Sequence, residues 1–297
     1  MQLQYRSIFT PTTYRIRAAN FEDYWAYTLR HDGEIDEQEK NLARKKEALE
    51  LFQRNPVRSR RPLADPERFY RNYLTLQDDP ATFDRKTLLL IFLYKFARHE
   101  WVGISAIWDD VPTMAHSKLT TDKISRYHLC EEFCHVRLFH EMFRTFHLDR
   151  VDWVPLGSWT RRGFRIFARL PEWMMSPPAF VTELMGLTLN LHMDRMLDDV
   201  LADEPEAHDR MRELLQEITA DELAHVGQRR NFMGPIGLRL SKALVTPMMR
   251  MFFHDIPEAK LLFDIDGVIE DARAFNYSTV PPRISKRSWI PSYCQSA

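Results

Sequence analysis

The sequence predicts an all-α protein: a bundle of four long helices with further helices before and after it. Three observations carry that expectation. There are only nine glycines in 297 residues. Long stretches place apolar residues at three- and four-residue steps, and almost no alternating apolar and polar runs are flanked by turn residues.

Residues from about 35 to 54 are rich in strong helix formers and in charge, which predicts a surface helix. The stretch 55–66, with Pro56, Pro62 and Pro66, reads as a connector. Four long helical patterns follow, at about 84–108, 121–148, 177–202 and 206–232. Between the second and third lies a basic and aromatic segment, 158–178, ended by Pro177 and Pro178. A further helix is expected at about 236–262, and a tail with Trp289 and Tyr293 closes the chain. The whole reads as one domain, residues 1–297, with its bundle core at about 84–232.

Net charge is -1 and the pI about 6.8, so nothing global favours nucleic acid. The first thirty residues hold no apolar signal core, and no stretch reaches the ~18 apolar residues of a spanning helix. A soluble, cytoplasmic protein without a transmembrane segment is the expectation. Cys130, Cys134 and Cys294 are too few and too scattered for a disulfide framework. Cys130 and Cys134 stand one turn apart beside His135, which raises a zinc or redox role, but core packing is the better reading of two lone thiols.

The chemistry lies in the four long patterns. The second contains Glu131-Glu132-Phe133-Cys134-His135 and the fourth Asp221-Glu222-Leu223-Ala224-His225. Both read acid-Glu-x-x-His, and positions i and i+3 share one helix face. That face is apolar: Leu129, Val136, Phe139 and Phe143 in one, Met211, Leu215, Ile218 and Val226 in the other. The first pattern sets Glu100 in a stripe of Leu89, Leu93, Phe96, Ala97, Gly103, Ile104 and Ile107; the third sets Glu183 among Ala179, Phe180, Leu187 and Leu191. An unpaired buried carboxylate is too costly, so each needs a partner. A lone Glu-x-x-His is common by chance, and a single buried Glu pairs more often with Lys or Arg. The full order Glu, Glu-x-x-His, Glu, Glu-x-x-His is far rarer. Four carboxylates and two neutral imidazoles balance two divalent cations, which makes metal the shared partner.

This set resembles the ferritin-like di-iron and di-manganese carboxylate proteins, whose known ligand arrangement it matches over about 84–232. The resemblance implies that Glu100, Glu132, His135, Glu183, Glu222 and His225 hold two Fe ions, with Mn as an alternative, and that dioxygen is a co-substrate. It also implies that Glu131 and Asp221 orient the bound histidines through their outer ring nitrogens; plain surface charge is the other reading of those two acids. In the radical subunit of ribonucleotide reductase a Tyr stands seven residues after the first Glu-x-x-His glutamate. Here Phe139 does, so no stable tyrosyl radical is expected.

The stretch YKFARHEWVGISAIW distantly resembles p-aminobenzoate N-oxygenase-like proteins. Those have a third His four residues before the second Glu-x-x-His glutamate, where this chain has Ile218. His128 lies four residues before Glu132, so a third imidazole from the other helix, or an outer partner of the site, is left open. Gly103, Gly186 and Leu187, one turn beyond Glu100 and Glu183, leave room for dioxygen and substrate, or for close helix packing. His99, His140, His147 and His192 read as bundle or surface residues.

The expected activity is oxidation of a small organic substrate, by N-oxygenation or hydroxylation, drawing on an electron donor. An acyl desaturase with a carrier-bound substrate is the alternative, and a non-enzymatic iron store or ferroxidase the other. The chain outside the bundle core favours a substrate chamber over a store. A homodimer is compatible with all of these. In 158–178, Arg161, Arg162, Arg165 and Arg169 oppose Phe164, Phe167, Leu170 and Trp173, a pattern that fits an amphipathic lid and equally a solvated crossover.

Overall fold

The computed structural model describes residues 5–36, 38–110 and 116–295. Its helices are α1 (Tyr14–Asp32), α2 (Ala43–Arg54), α3 (Pro66–Asn72), α4 (Arg85–Asp110), α5 (Thr120–Thr145), α6 (Ser158–Ala168), α7 (Glu172–Val200), α8 (Pro205–Asn231), α9 (Pro235–Asp255), α10 (Ile265–Arg273) and α11 (Pro282–Ser285). The strands described are a two-residue pair, β1 (Ile35–Asp36) and β2 (Asn41–Leu42), running antiparallel. The all-α expectation is met.

Local chemistry sets the ends of the long helices. Asp84 caps α4, accepting from the Thr87 backbone N–H at 2.9 Å. Pro205 and Pro235 start α8 and α9, where a missing N–H costs nothing. The four-residue link between α7 and α8 makes them an antiparallel pair. α4 packs on α5, α5 on α8 and α8 on α7; α6 lies on α4 and α9 on α7. One apolar cluster runs from Ile8 to Cys294, with Phe92, Phe139, Phe143 and Phe180 fully buried among it. Phe96 and Phe139 meet edge to face at 6.0 Å across α4 and α5. Each such side chain contributes about 1.5–3 kcal/mol by leaving water.

Four stretches differ from expectation. The helix α1 is not foreseen by the sequence reading; it lies across α5 and α8. The helix expected over 35–54 begins only at Ala43, because the chain first turns back through β1 and β2. Gly33 at φ 77° closes α1, Lys40 takes φ 52°, and Asn41 and Leu42 are buried. Burial of two residues beside α5 outweighs helix propensity there.

The third long helix starts five residues ahead of the expected Pro177, at Glu172, and runs through both prolines. Pro177 and Pro178 deprive only the carbonyls of Trp173 and Met174, which lie in the exposed first turn where water can serve them. Trp173 therefore belongs to α7 and is exposed, apart from the half-buried Phe164, Phe167 and Leu170 of the preceding segment. The expected 236–262 helix stops at Asp255, before Pro257. Trp289 and Tyr293 are buried, and all three cysteines are buried and free, as core packing requires.

Candidate metal centre

The face on which Glu132 and His135 project from α5 meets the face on which Glu222 and His225 project from α8. His128, Glu132, Glu183 and His225 offer one ligand atom each within 4.8 Å of one another. Glu132, His135 and Glu222 form a second such set, so Glu132 is common to both. Three histidines and three glutamates from α5, α7 and α8 thus converge on one polar island in an apolar core. Each set can hold a metal ion.

The rings are oriented inward. His135 Nδ1 lies 3.3 Å from Glu132 Oε2 and 3.4 Å from Glu222 Oε1. His225 Nδ1 lies 3.0 Å from Glu132 Oε1 and 3.7 Å from Glu183 Oε2. The outer nitrogens are tied crosswise: His135 Nε2 meets Asp221 Oδ2 at 3.0 Å, and His225 Nε2 meets Glu131 Oε2 at 2.8 Å. Each acid thus holds the histidine of the opposite helix and leaves Nδ1 free to donate its lone pair to a cation. His128 stacks on His225, ring centroids 3.7 Å apart, and its Nε2 is 3.2 Å from both Glu132 Oε1 and Glu183 Oε1. It lies among the candidate ligands themselves.

Glu100 joins neither set at that distance. An added Cβ on Gly186 would stand 3.4 Å from Glu222 Oε2 and 3.8 Å from Glu100 Oε1, so the two carboxylates border the space this glycine leaves. Gly103 instead faces α6, where an added Cβ would stand 3.4 Å from Phe164, an ordinary contact. Leu187 is fully buried. His99, His147 and His192 bond to Lys95, Ser59 and Asp271, away from the island.

The charges of this island favour a cation. Elsewhere buried glutamates have the ordinary partner, Lys95 for Glu258 and Lys86 for Glu204. Glu100 Oε2 and His225 Nδ1 are buried without a hydrogen bond. Burial, then Glu222 and Glu132, raises the Glu100 carboxyl well above its ordinary value. Burial, then Glu132, pushes Glu222 up to about 7. In Glu132 burial acts the same way, but His135, His128 and His225 outweigh it and hold the group well below its usual range. Glu183 is likewise lowered, His128 outweighing burial. Two carboxyls pushed up beside two held down is what results when four acids share too little positive charge. The donor set fits two divalent ions, which would supply that charge.

The residues missed from the sequence lie behind the histidines. Lys45 of α2 pairs with Asp221 and stands 3.6 Å from both Glu131 and Asp32. Its helix was expected to be solvated, yet Lys45 is almost wholly buried and binds the two acids that orient the rings. A signal existed: Leu42, Lys45, Leu49 and Phe52 follow at three- and four-residue steps, placing Lys45 in the apolar stripe. Arg229, one turn beyond His225, approaches Glu183 Oε1 at 3.9 Å.

No helix is long and apolar enough to cross a membrane among the described residues. Comparison with protein-family models, with curated proteins and with solved structures gives no match, so the metal-binding character of this island rests on its own side chains.

Proposed function

We propose that the protein is a di-iron oxidoreductase of the ferritin-like kind, which activates dioxygen to oxidise a small organic substrate. The observation that carries this reading is the pair of donor sets sharing Glu132, with both Glu-x-x-His rings aimed inward by crosswise acids. Two iron ions, when bound, supply the electrons that reduce dioxygen. Glu132, His135 and Glu222 would hold one ion and His128, Glu183, Glu132 and His225 the other, with Glu100 closing the first position from α4. Asp221 and Glu131 keep a proton on each outer ring nitrogen, so the inner nitrogen remains a donor. Gly186 leaves about one methyl group's space beside Glu222 and Glu100. Iron rather than manganese follows from the resemblance, since carboxylate and imidazole donors accept either.

The test is anaerobic loading with Fe(II), metal analysis, and then dioxygen uptake. About two ions per chain are expected, with stoichiometric consumption of dioxygen and a change in the optical spectrum. Continued mineral growth over hundreds of irons would assign the chain to iron storage instead. Product from an arylamine selects N-oxygenation, and product from an acyl substrate selects desaturation.

A further inference from the structure

Only two of the seven tryptophans are exposed, Trp159 on α6 and Trp173 at the start of α7. They are 81% and 75% accessible, and Ile166, Met174, Ile236 and Leu240 are exposed with them. On α6 the inner side is Phe164, Phe167 and Ala168, while Trp159 and Ile166 stand two helical turns apart on the outer side. Arg161, Arg162, Arg165 and Arg169 fill the flank between. The start of α9 packs on the start of α7: a Cβ added to Gly237 would stand 3.7 Å from Pro177, and Ser241 Oγ donates to the Pro177 carbonyl at 3.4 Å. The exposed Ile236 and Leu240 thus belong to the turns of α9 that adjoin the turn of α7 following Trp173 and Met174.

The charge of this face is one-sided. Residues 158–178 carry four basic residues against the single acid Glu172, and the first two turns of α9 (235–242) add Arg239 and Lys242 with no acid; Asp109 of α4 is the acid that shares the groove with Arg161, Arg162 and Arg165.

We propose that this face, formed by α6 and the first turns of α7 and α9, docks on an anionic lipid bilayer. Exposed tryptophans with flanking arginines match the interface, where the indole sits at headgroup depth and the guanidinium binds lipid phosphate. A two-fold contact with a second copy would bring the same arginine flanks together and repel. An acidic protein partner would satisfy the arginines and leave Trp159, Ile166 and Ile236 in water. A bilayer uses both features. Docking does not depend on the oxidoreductase reading, but it places α6, whose Phe164 covers Gly103 one turn from Glu100, between the lipid and the metal centre. The groove of about 490 Å³ between α4 and α6, lined by Arg161, Arg162 and Arg165 with Trp101, then opens beside the headgroups.

The experiment is co-sedimentation of the full chain with phosphatidylcholine vesicles, with and without phosphatidylglycerol, read together with tryptophan emission. Binding to the anionic vesicles, at least about tenfold tighter than to the neutral ones and weakened by salt, is expected with a blue shift. The Trp159→Ala/Trp173→Ala variant loses the blue shift and most of the binding. Arg161→Glu/Arg162→Glu loses the preference for anionic lipid. Both retain the helical circular dichroism and the metal content of the parent, since these side chains are on the surface. The proposal is overturned if the parent chain ignores anionic vesicles, if either double variant binds them like the parent, or if the tryptophan variant instead turns an oligomer into a monomer.

Discussion

On α5 and α8 the candidate ligand side chains are tied to further groups, whereas on α4 the glutamate has little to hold it. His135 and His225 are fixed crosswise by Asp221 and Glu131, and behind these acids Lys45 and Asp32 form a second buried layer. Glu183 of α7 is intermediate, held by His128 and approached by Arg229. Glu100 Oε2 is buried and unpartnered, while its Oε1 borders Gly186. The α5 and α8 side is thus held in place by protein groups alone, and the α4 side is not. Preorganised donors give affinity, since no ordering remains to be done, while a loosely held carboxylate can yield to an incoming molecule.

The largest difference should appear on removing one glutamate from each side. Glu132→Ala takes a donor from both sets and is expected to abolish metal at both positions, measured by metal analysis after desalting. Glu100→Ala should leave one ion bound and should not lower the melting temperature of the metal-free protein, because a buried carboxyl without a partner is lost. Equal metal loss in the two variants would break the distinction between the sides.

Lys45→Met tests the layer behind the rings. Leaving Glu131, Asp221 and Asp32 without their shared cation should cost about 3–5 kcal/mol in urea unfolding of the metal-free protein. A near-neutral result would mean that these acids are protonated and that Lys45 does not hold them. Asp221→Asn or Glu131→Gln should act more mildly, lowering metal affinity about 10–100-fold in a chelator competition while the fold persists. An unchanged affinity would remove the crosswise acids from the argument.

The smallest effect is that of pH on the metal-free protein. Glu222 is raised from 4.5 to about 7, and His135 and His225 are raised as well, burial acting against them but Glu132 and Glu131 outweighing it. Groups raised in the folded state stabilise it below their ordinary values and lose that contribution as pH rises through the folded ones. Glu132 and Glu183 are lowered, and their contribution is complete above about pH 5. Thermal unfolding should therefore fall by a few degrees from about pH 5 to about pH 8, and bound metal, which replaces those protons, should cancel the slope. A melting temperature that rises over this range would contradict the division of charge among the four carboxylates.

The all-α class and the approach of Glu132, His135, Glu222 and His225 were legible from sequence, because helical periodicity alone puts i and i+3 on one face and an apolar face turns inward. His128 was legible as a question, by its four-residue spacing from Glu132. The boundaries near 35–42 and 172 were not, since propensity and proline are local signals that burial of Asn41 and Leu42 and an exposed first turn override. Nor was the pairing of each acid with the histidine of the opposite helix. Spacing along one helix says which way a side chain points, but Asp221 reaches His135 and Lys45 reaches Asp221 only because α2, α5 and α8 pack together, and contacts between elements are settled by that packing.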